Sequence, residues 1–310
     1  MSVYTPINLQ QLEQFLQQYT LGRLIQFSGI QAGIENTNYR VTTTRGDYIL
    51  TLFESLSSQE LPAYLSLIKQ LNQSGFPAPE PYACKQSRFI NNLADKPATL
   101  FSCLPGQSID APTASQCSEI GIYLAKLHLL SSSTEFYKQN AKNISGCQQL
   151  FKQIKTQLAE ADIDLLQAEL NYQSSYGLPD IPKGIIHADL FKDNVLFNQG
   201  HISGILDFYN ACNDCFLFDI AVTGNDWCVV NGVLDHQKLT AFISGYQIIR
   251  QLTDNEKKHI TAFFRLAALR FWLSRVEHQL NPKAGELTLE KDPLVFKQLL
   301  KQYRAEPINL

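Results

Sequence analysis

GIIHADLFKDNVLFNQGHISGILDFY, residues 184–209, is the one densely polar island in the second half of the chain, and apolar runs bracket it. Inside it lies His187-x-Asp189-x-x-x-x-Asn194, and thirteen residues later Asp207 follows Ile205-Leu206. Three short apolar runs, Gly184–Ile186, Val195–Phe197 and Ile202–Leu206, read as strands that would hold these polar groups rigidly. The five-residue step from Asp189 to Asn194 lets the connecting loop turn back on itself.

Working outward, the N-terminal side is β-rich. Asn8 is a plausible N-cap, and Leu9, Leu12, Phe15, Leu16 and Tyr19 recur at helical spacing. Leu24–Phe27, Tyr39–Thr43 and Tyr48–Phe53 are β-branched and aromatic runs. Gly29–Gly33 and the hairpin turn Arg45-Gly46-Asp47 separate them. Ser58–Asn72 returns to helical period with Leu61, Leu65, Ile68 and Leu71 inward, and Gly75 stops it. Phe76–Pro81 is a proline-rich connector, and Thr99–Leu104 is a further buried strand closing at Pro105-Gly106.

Beyond that point the periodicity is mostly helical. Helices are expected over Ser118–Leu130, Gln148–Leu158, Leu165–Tyr172, Phe218–Val230, His236–Ile249, Glu256–His278 and Asp292–Tyr303. The expected fold class is therefore α+β, in two lobes. A small antiparallel β-sheet lobe with one long helix spans 1–104, and a larger, mostly helical lobe spans 105–310.

Composition narrows the function classes. Of 310 residues 45% are hydrophobic and 18% charged, ample for real cores, and neither repeats nor low-complexity tracts occur. A formal net charge of −3 makes no electrostatic case for nucleic acid or an anionic membrane surface. The start, MSVYTPINLQQLEQFL, lacks a basic segment followed by an apolar core, and no run is long enough to span a bilayer. Seven scattered cysteines then read as reduced, mostly buried thiols of a cytoplasmic protein. Cys212 and Cys215 form a lone C-x-x-C, read as two small residues in a loop and not as a zinc site.

The polar island suits phosphoryl transfer, which asks for a positioned hydroxyl, a base beside it and magnesium on the phosphates. Asp189 can orient and deprotonate an incoming hydroxyl, and His187 can fix the loop by hydrogen bonding. Asn194 and Asp207 offer a carboxamide and a carboxylate oxygen, hard ligands suited to Mg²⁺.

H-x-D-x-x-x-x-N followed by an aspartate ending an apolar strand resembles the signature of the aminoglycoside phosphotransferase-like kinases. The resemblance covers nearly the whole chain and implies a protein-kinase-like fold with ATP and Mg²⁺ as cofactors. It places Ser28–Tyr39, with Gly29, Gly33, Asn36 and Asn38, at the phosphate-covering loop, and Phe101–Leu104 (Ser102, Cys103 and Leu104 among them) at the adenine. His128 falls on the helix after the hinge, and Asp219 in Phe218-Asp219-Ile220-Ala221 resembles the residue that braces the catalytic loop. GIENTNY (33–39), ILTLFE (49–54), HADLFKDNVLF (187–197), LDFYNACND (206–214), NDWC (225–228) and RFWLSR (270–275) together resemble the homoserine kinases of this superfamily. What that implies is phosphorylation of the L-homoserine hydroxyl to O-phospho-L-homoserine, a step of threonine biosynthesis. Ala188 and Cys215 depart from the glycine and proline expected there. Thr51 stands where most kinases carry the third-strand lysine, which leaves open what neutralises the phosphates; loop amides, Lys192 or magnesium are the options.

An amino-acid substrate needs charges of both signs. Arg270 lies in the otherwise apolar Leu266–Leu273 and could grip a carboxylate bidentately, or form a structural ion pair. Arg275 lies about 140° further around the same helix. Asp226 could meet the ammonium, with Tyr209 or Trp227 as an apolar or cation–π wall. Residues 1–104 carry 7 basic and 7 acidic side chains, and 105–310 carry 19 and 22, so no strongly acidic cleft for a polycationic aminoglycoside is indicated. Choline, ethanolamine or a methylthio-sugar would fit the same machinery. A silent nucleotide-binding protein is the alternative of a different class.

Overall fold

Asn8 caps the first helix, α1 (Leu9–Leu16), through a reciprocal pair: its Oδ1 accepts from Gln11 N–H, and Gln11 Oε1 accepts from Asn8 N–H, both at 2.9 Å. Such pairs satisfy backbone donors that a helix start otherwise leaves unpaired. The computed structural model describes residues 4–30, 36–130, 134–177, 179–281 and 292–309. They group into two compact units: the described residues of 4–106 with Ser203–Leu206, and those of 107–202 with 207–281 and 292–309.

In the first unit, strands β1 (Leu24–Gly29), β2 (Thr37–Thr43), β3 (Gly46–Leu52), β4 (Pro81–Tyr82), β5 (Asn91–Leu93) and β6 (Lys96–Ser102) make one antiparallel sheet. Its order is β1-β2-β3-β6-β4, with β5 also on β6. Alternation decides which face is buried: in β2, Thr37, Tyr39, Val41 and Thr43 are all buried. Tyr39, Val41, Leu50, Leu52 and Leu100 close a core with Leu12, Phe15, Leu16 and Tyr19 of α1. Each such side chain contributes roughly 1.5–3 kcal/mol by leaving water. Helix α2 (Leu61–Gln73) buries Leu61, Tyr64, Leu65, Leu67, Ile68 and Leu71 and ends before Gly75 at φ 78°. Ser57 N–H and Oγ–H both donate to Glu60 Oε2 just ahead of it.

The second unit carries α3 (Ala114–Leu130), α4 (Ile144–Ile154), α5 (Glu160–Tyr176), α6 (Phe216–Trp227), α7 (His236–Ile249), α8 (Asp254–Leu280) and α9 (Leu294–Ala305). Three short strand pairs interrupt the helices: β7 (Lys183–Ile186) with β10 (Cys212–Cys215), β8 (Val195–Asn198) with β9 (His201–Ile205), and β11 (Val229–Val230) with β12 (Val233–Leu234).

Two local expectations are corrected here. Cys212–Cys215 is not a loop but strand β10, with Cys212 opposite Ile186 and Cys215 opposite Lys183. Both thiols are buried, and burial pushes each up to about 12. The helix expected over Phe218–Val230 ends at Trp227, because Asn231-Gly232 turns Val229-Val230 back on Val233-Leu234. Both turn residues have positive φ, 52° and 79°, the two-residue hairpin geometry that Asn-Gly favours.

Where α3 meets α7, two glycines replace side chains. A Cβ on Gly121 would overlap the Phe242 carbonyl oxygen, and one on Gly245 the Ser118 carbonyl oxygen. The helices thus approach backbone to backbone, which brings His128 of α3 to Tyr246 of α7.

Candidate active site

The candidate catalytic loop starts where the β7–β10 ladder ends, at Ile186 opposite Cys212. Ala188 takes φ 63°, a left-handed turn that redirects the chain and carries Asp189 out of the ladder. Asp189 is partly exposed, its side chain retaining 22% of its surface. Its carbonyl accepts from Phe191 N–H at 2.8 Å and from the Asn194 side-chain amide at 2.8 Å. With its nitrogen so engaged, Asn194 has its Oδ1 left as a hard donor. Asp207, at the end of β9, sits in the left-handed region (φ 60°, ψ 60°). A non-glycine residue held there costs of order 1–3 kcal/mol, a strain typical of functional positions. Its neighbour Phe208 packs on the His187 ring at 4.8 Å between centroids.

One helix, α6, holds this loop at four points. Asp219 accepts from His187 N–H at 2.7 Å and Ala188 N–H at 2.8 Å, one on each carboxylate oxygen. Asp226 accepts from Lys192 N–H at 2.7 Å, and the Trp227 indole N–H donates to Leu190 carbonyl at 3.0 Å. Residues seven and eight apart share a helix face, so one side of α6 presents all three groups to the loop. Burial pushes the Asp219 carboxyl up, but hydrogen bonds from His128 and the loop outweigh it and hold the group below the usual carboxylate range.

These contacts sort the residues singled out by sequence. His187 is fully buried, and its backbone N–H donates to Asp219, so its main chain takes part in holding the loop. Trp227, expected as a substrate wall, is also fully buried and lies under the loop. Tyr209 is half-buried, and burial raises its phenol. Arg270 is buried on α8, its Nη1 3.8 Å from Asp189 Oδ1 and its guanidinium 3.6 Å over the Phe271 ring. Arg275 donates to the Asp292 carbonyl at 2.8 Å and lies over Phe296. Lys192 points its ammonium at the Asp110 carbonyl, 3.2 Å away.

The nucleotide candidates lie in the first unit. Gly29 pairs with Tyr39 across β1 and β2, and Asn38 pairs with Thr51 across β2 and β3. Thr51 Oγ1 donates to Asn38 Oδ1 at 2.7 Å, which engages the hydroxyl that replaces the expected lysine. Asn36 Oδ1 accepts from Glu54 N–H at 3.4 Å, and Gly33 lies outside the described residues. Ser102 ends β6 with its Oγ accepting from Glu80 N–H; Cys103 and Leu104 follow, half-buried. Glu60 serves Ser57 at the start of α2 and has no lysine at position 51 to pair with.

Sequence reasoning passed over the bracing roles of Asp226 and Trp227. The seven-residue step from Asp219 to Asp226 on a mostly apolar helix was the available signal.

Comparison with known proteins shows the family. The profile of the phosphotransferase enzyme family matches residues 26–252. A homoserine kinase of Methylobacillus flagellatus is 42% identical over 305 residues, covering 97% of this chain and 95% of its own. One of Neisseria meningitidis is 40% identical over 301 residues, covering 97% and 99%. The chain belongs to the homoserine kinase family of phosphotransferases. Membership makes it a small-molecule kinase with a protein-kinase-like fold, as the two-lobed α+β expectation has it. An amicoumacin kinase in complex with AMP-PNP, Ca²⁺ and Ami superposes with a TM-score of 0.74 at 17% identity, covering 98% of this chain and 95% of that one. An ethanolamine kinase of Plasmodium vivax superposes at 0.63 and 16%, covering 90% and 84%. At such identities the likeness is one of fold.

Proposed function

We propose that this homoserine kinase family member transfers the γ-phosphoryl group of ATP to the hydroxyl of L-homoserine, giving O-phospho-L-homoserine on the route to threonine. The observation that carries the reading is the near-full-length likeness to homoserine kinases, together with a loop, braced by α6, that carries Asp189 and Asn194.

The donor set suits Mg²⁺, an amide oxygen from Asn194 and a carboxylate from Asp207. Mg²⁺ commonly takes one or two protein oxygens and completes its shell with phosphate and water. When bound, Mg²⁺ offsets charge on the phosphate oxygens of ATP. Asp189 orients the homoserine hydroxyl and accepts its proton as the oxygen bonds to phosphorus. Arg270, 3.8 Å from Asp189, lies where a cation would both steady that carboxylate and attract the substrate's own. Asp226 is the counter-charge for the ammonium, with Tyr209 beside Asp207 as flanking aromatic surface. Gly29, Gly33, Asn36, Asn38 and Thr51 are assigned to the phosphates, and Ser102–Leu104 to adenine.

The deciding experiment measures ADP release from MgATP with homoserine, serine, threonine, choline and an aminoglycoside, using Asp189→Asn as control. Saturable turnover confined to homoserine supports the proposal. Preference for another compound replaces the substrate, and wild-type-like turnover by Asp189→Asn sinks the mechanism.

A further inference from the structure

Behind Asp219 runs a line of buried polar groups that the reaction itself does not use. His128 Nε2 lies 3.1 Å from Asp219 Oδ2, and its Nδ1 lies 2.7 Å from Tyr246 Oη. Arg250 Nη1 lies 3.1 Å from the same Tyr246 oxygen, and Arg250 Nη2 lies 2.9 Å from Glu256 Oε1. Glu256 is fully buried, and its Oε2 accepts from Thr253 N–H at 2.9 Å. The Phe216 ring is sandwiched, with the His128 imidazole 4.3 Å away on a nearly parallel plane and the Arg250 guanidinium 5.0 Å away.

Donor and acceptor chemistry gives this line a direction. A guanidinium has only donors and a carboxylate only acceptors. Arg250 therefore donates to Tyr246 Oη, and the His128 Nε2–H donates to Asp219. The contact between them is made either by a neutral imidazole accepting the tyrosine proton or by an imidazolium. A fixed cation one residue further along disfavours the second. We propose that Arg250 is a positioning residue for the catalytic loop: through Tyr246 it keeps the His128 imidazole uncharged, so that the Asp219 carboxylate stays committed to the His187 and Ala188 N–H groups. Burial, the largest influence, also pushes the His128 imidazole down, against the pull of Asp219. Among the described residues, the titratable and charged groups near the ring include Asp219 from α6, Tyr246 and Arg250 from α7 and its end, and Glu256 from α8.

The proposal uses the kinase reading only for its turnover readout, so its test has a second arm that needs no activity. Arg250→Met alone would leave Glu256 buried and unpaired, so the variant used is Arg250→Met/Glu256→Gln, accompanied by Tyr246→Phe and Arg250→Lys. The imidazole ¹⁵N signals of the full-length chain are followed across pH 5 to 8, with His128→Asn assigning the resonance. The expected result is a neutral, Nε2-protonated His128 throughout in the wild-type chain and in Arg250→Lys. In the double variant His128 becomes protonated as pH falls, because the Asp219 carboxylate then faces the ring with no guanidinium behind Tyr246. Over the same range kcat of the double variant drops roughly tenfold, the size seen when a group that orients a functional side chain is lost, while KM values hold. Tyr246→Phe moves both readouts in the same direction. A double variant that only melts earlier, with His128 still neutral and the kcat profile unmoved, overturns the proposal. If the wild-type chain does not phosphorylate homoserine, the functional assignment falls and the ¹⁵N arm alone decides.

Discussion

Ala188 holds φ 63° at the hinge of the catalytic loop, where an L side chain costs roughly 1–2 kcal/mol and glycine nothing. Glycine also loses more freedom on folding, about 0.4–1 kcal/mol. The two effects nearly cancel, so Ala188→Gly is expected to shift stability by less than about 1 kcal/mol and to keep turnover, as thermal melting and the ADP assay would show. Asp189 next door behaves differently. Asp189→Asn keeps the backbone contacts of the loop, which its carbonyl makes, but removes the proton acceptor. Turnover should fall by about 10²–10⁴ with melting little changed. At this scale the sequence was highly legible: H-x-D-x-x-x-x-N singled out the loop because each residue type in it has few structural reasons to be there. The role of Trp227 was not legible, because burial is a property of packing and not of residue type; that His187 helps to fix the loop was legible, but not that it does so through its backbone N–H.

At the scale of elements, α6 and the α3–α7 pair set the site. Eleven of the twelve α6 residues are buried, so its period does not reveal which face meets the loop. Only the contacts of Asp219, Asp226 and Trp227 do. The strand pair after it was legible in principle, since Asn-Gly between apolar pairs is a hairpin signal, but two-residue strands are too short for alternation to register. The α3–α7 contact depends on Gly121 and Gly245 meeting carbonyl oxygens. Gly245→Ala is predicted to destabilise the protein by about 1–3 kcal/mol, as an overpacked core does. Because Tyr246 is the next residue and reaches His128, it should also lower kcat. Denaturant titration beside steady-state kinetics would test both. A variant as stable and active as the parent would remove this contact from the account.

Across the whole molecule the buried ionisable groups shape the response to pH. His128 takes up a proton less readily folded than unfolded. Below the ordinary imidazole value of about 6.5 the unfolded chain therefore binds a proton that the fold refuses, and stability falls as pH decreases from there. Asp219 has the opposite displacement, held below the usual carboxylate range, so its contribution is present above about 3.9 and is lost only in more acid solution. Chemical denaturation at pH 7 and pH 5 should give a lower unfolding free energy at pH 5, a difference that His128→Asn reduces. A flat profile would show that His128 is not neutral in the fold.

The sequence by itself determined the two-lobed kinase-like class and the antiparallel sheet with its α2 helix, and it singled out the candidate residues of the loop after β7. Period-2 and period-3.6 apolar patterns and a spaced polar motif are local properties of the chain. The resemblance marked Asp219 as a brace of the loop, but only the tertiary structure showed which groups it meets. Asp219 meets His187 across 32 positions and His128 across 91, and His128 meets Tyr246 across 118. No local pattern encodes those separations. They arise because two glycines let α3 and α7 touch, and because a buried carboxylate needs every partner that the surrounding helices can bring to it.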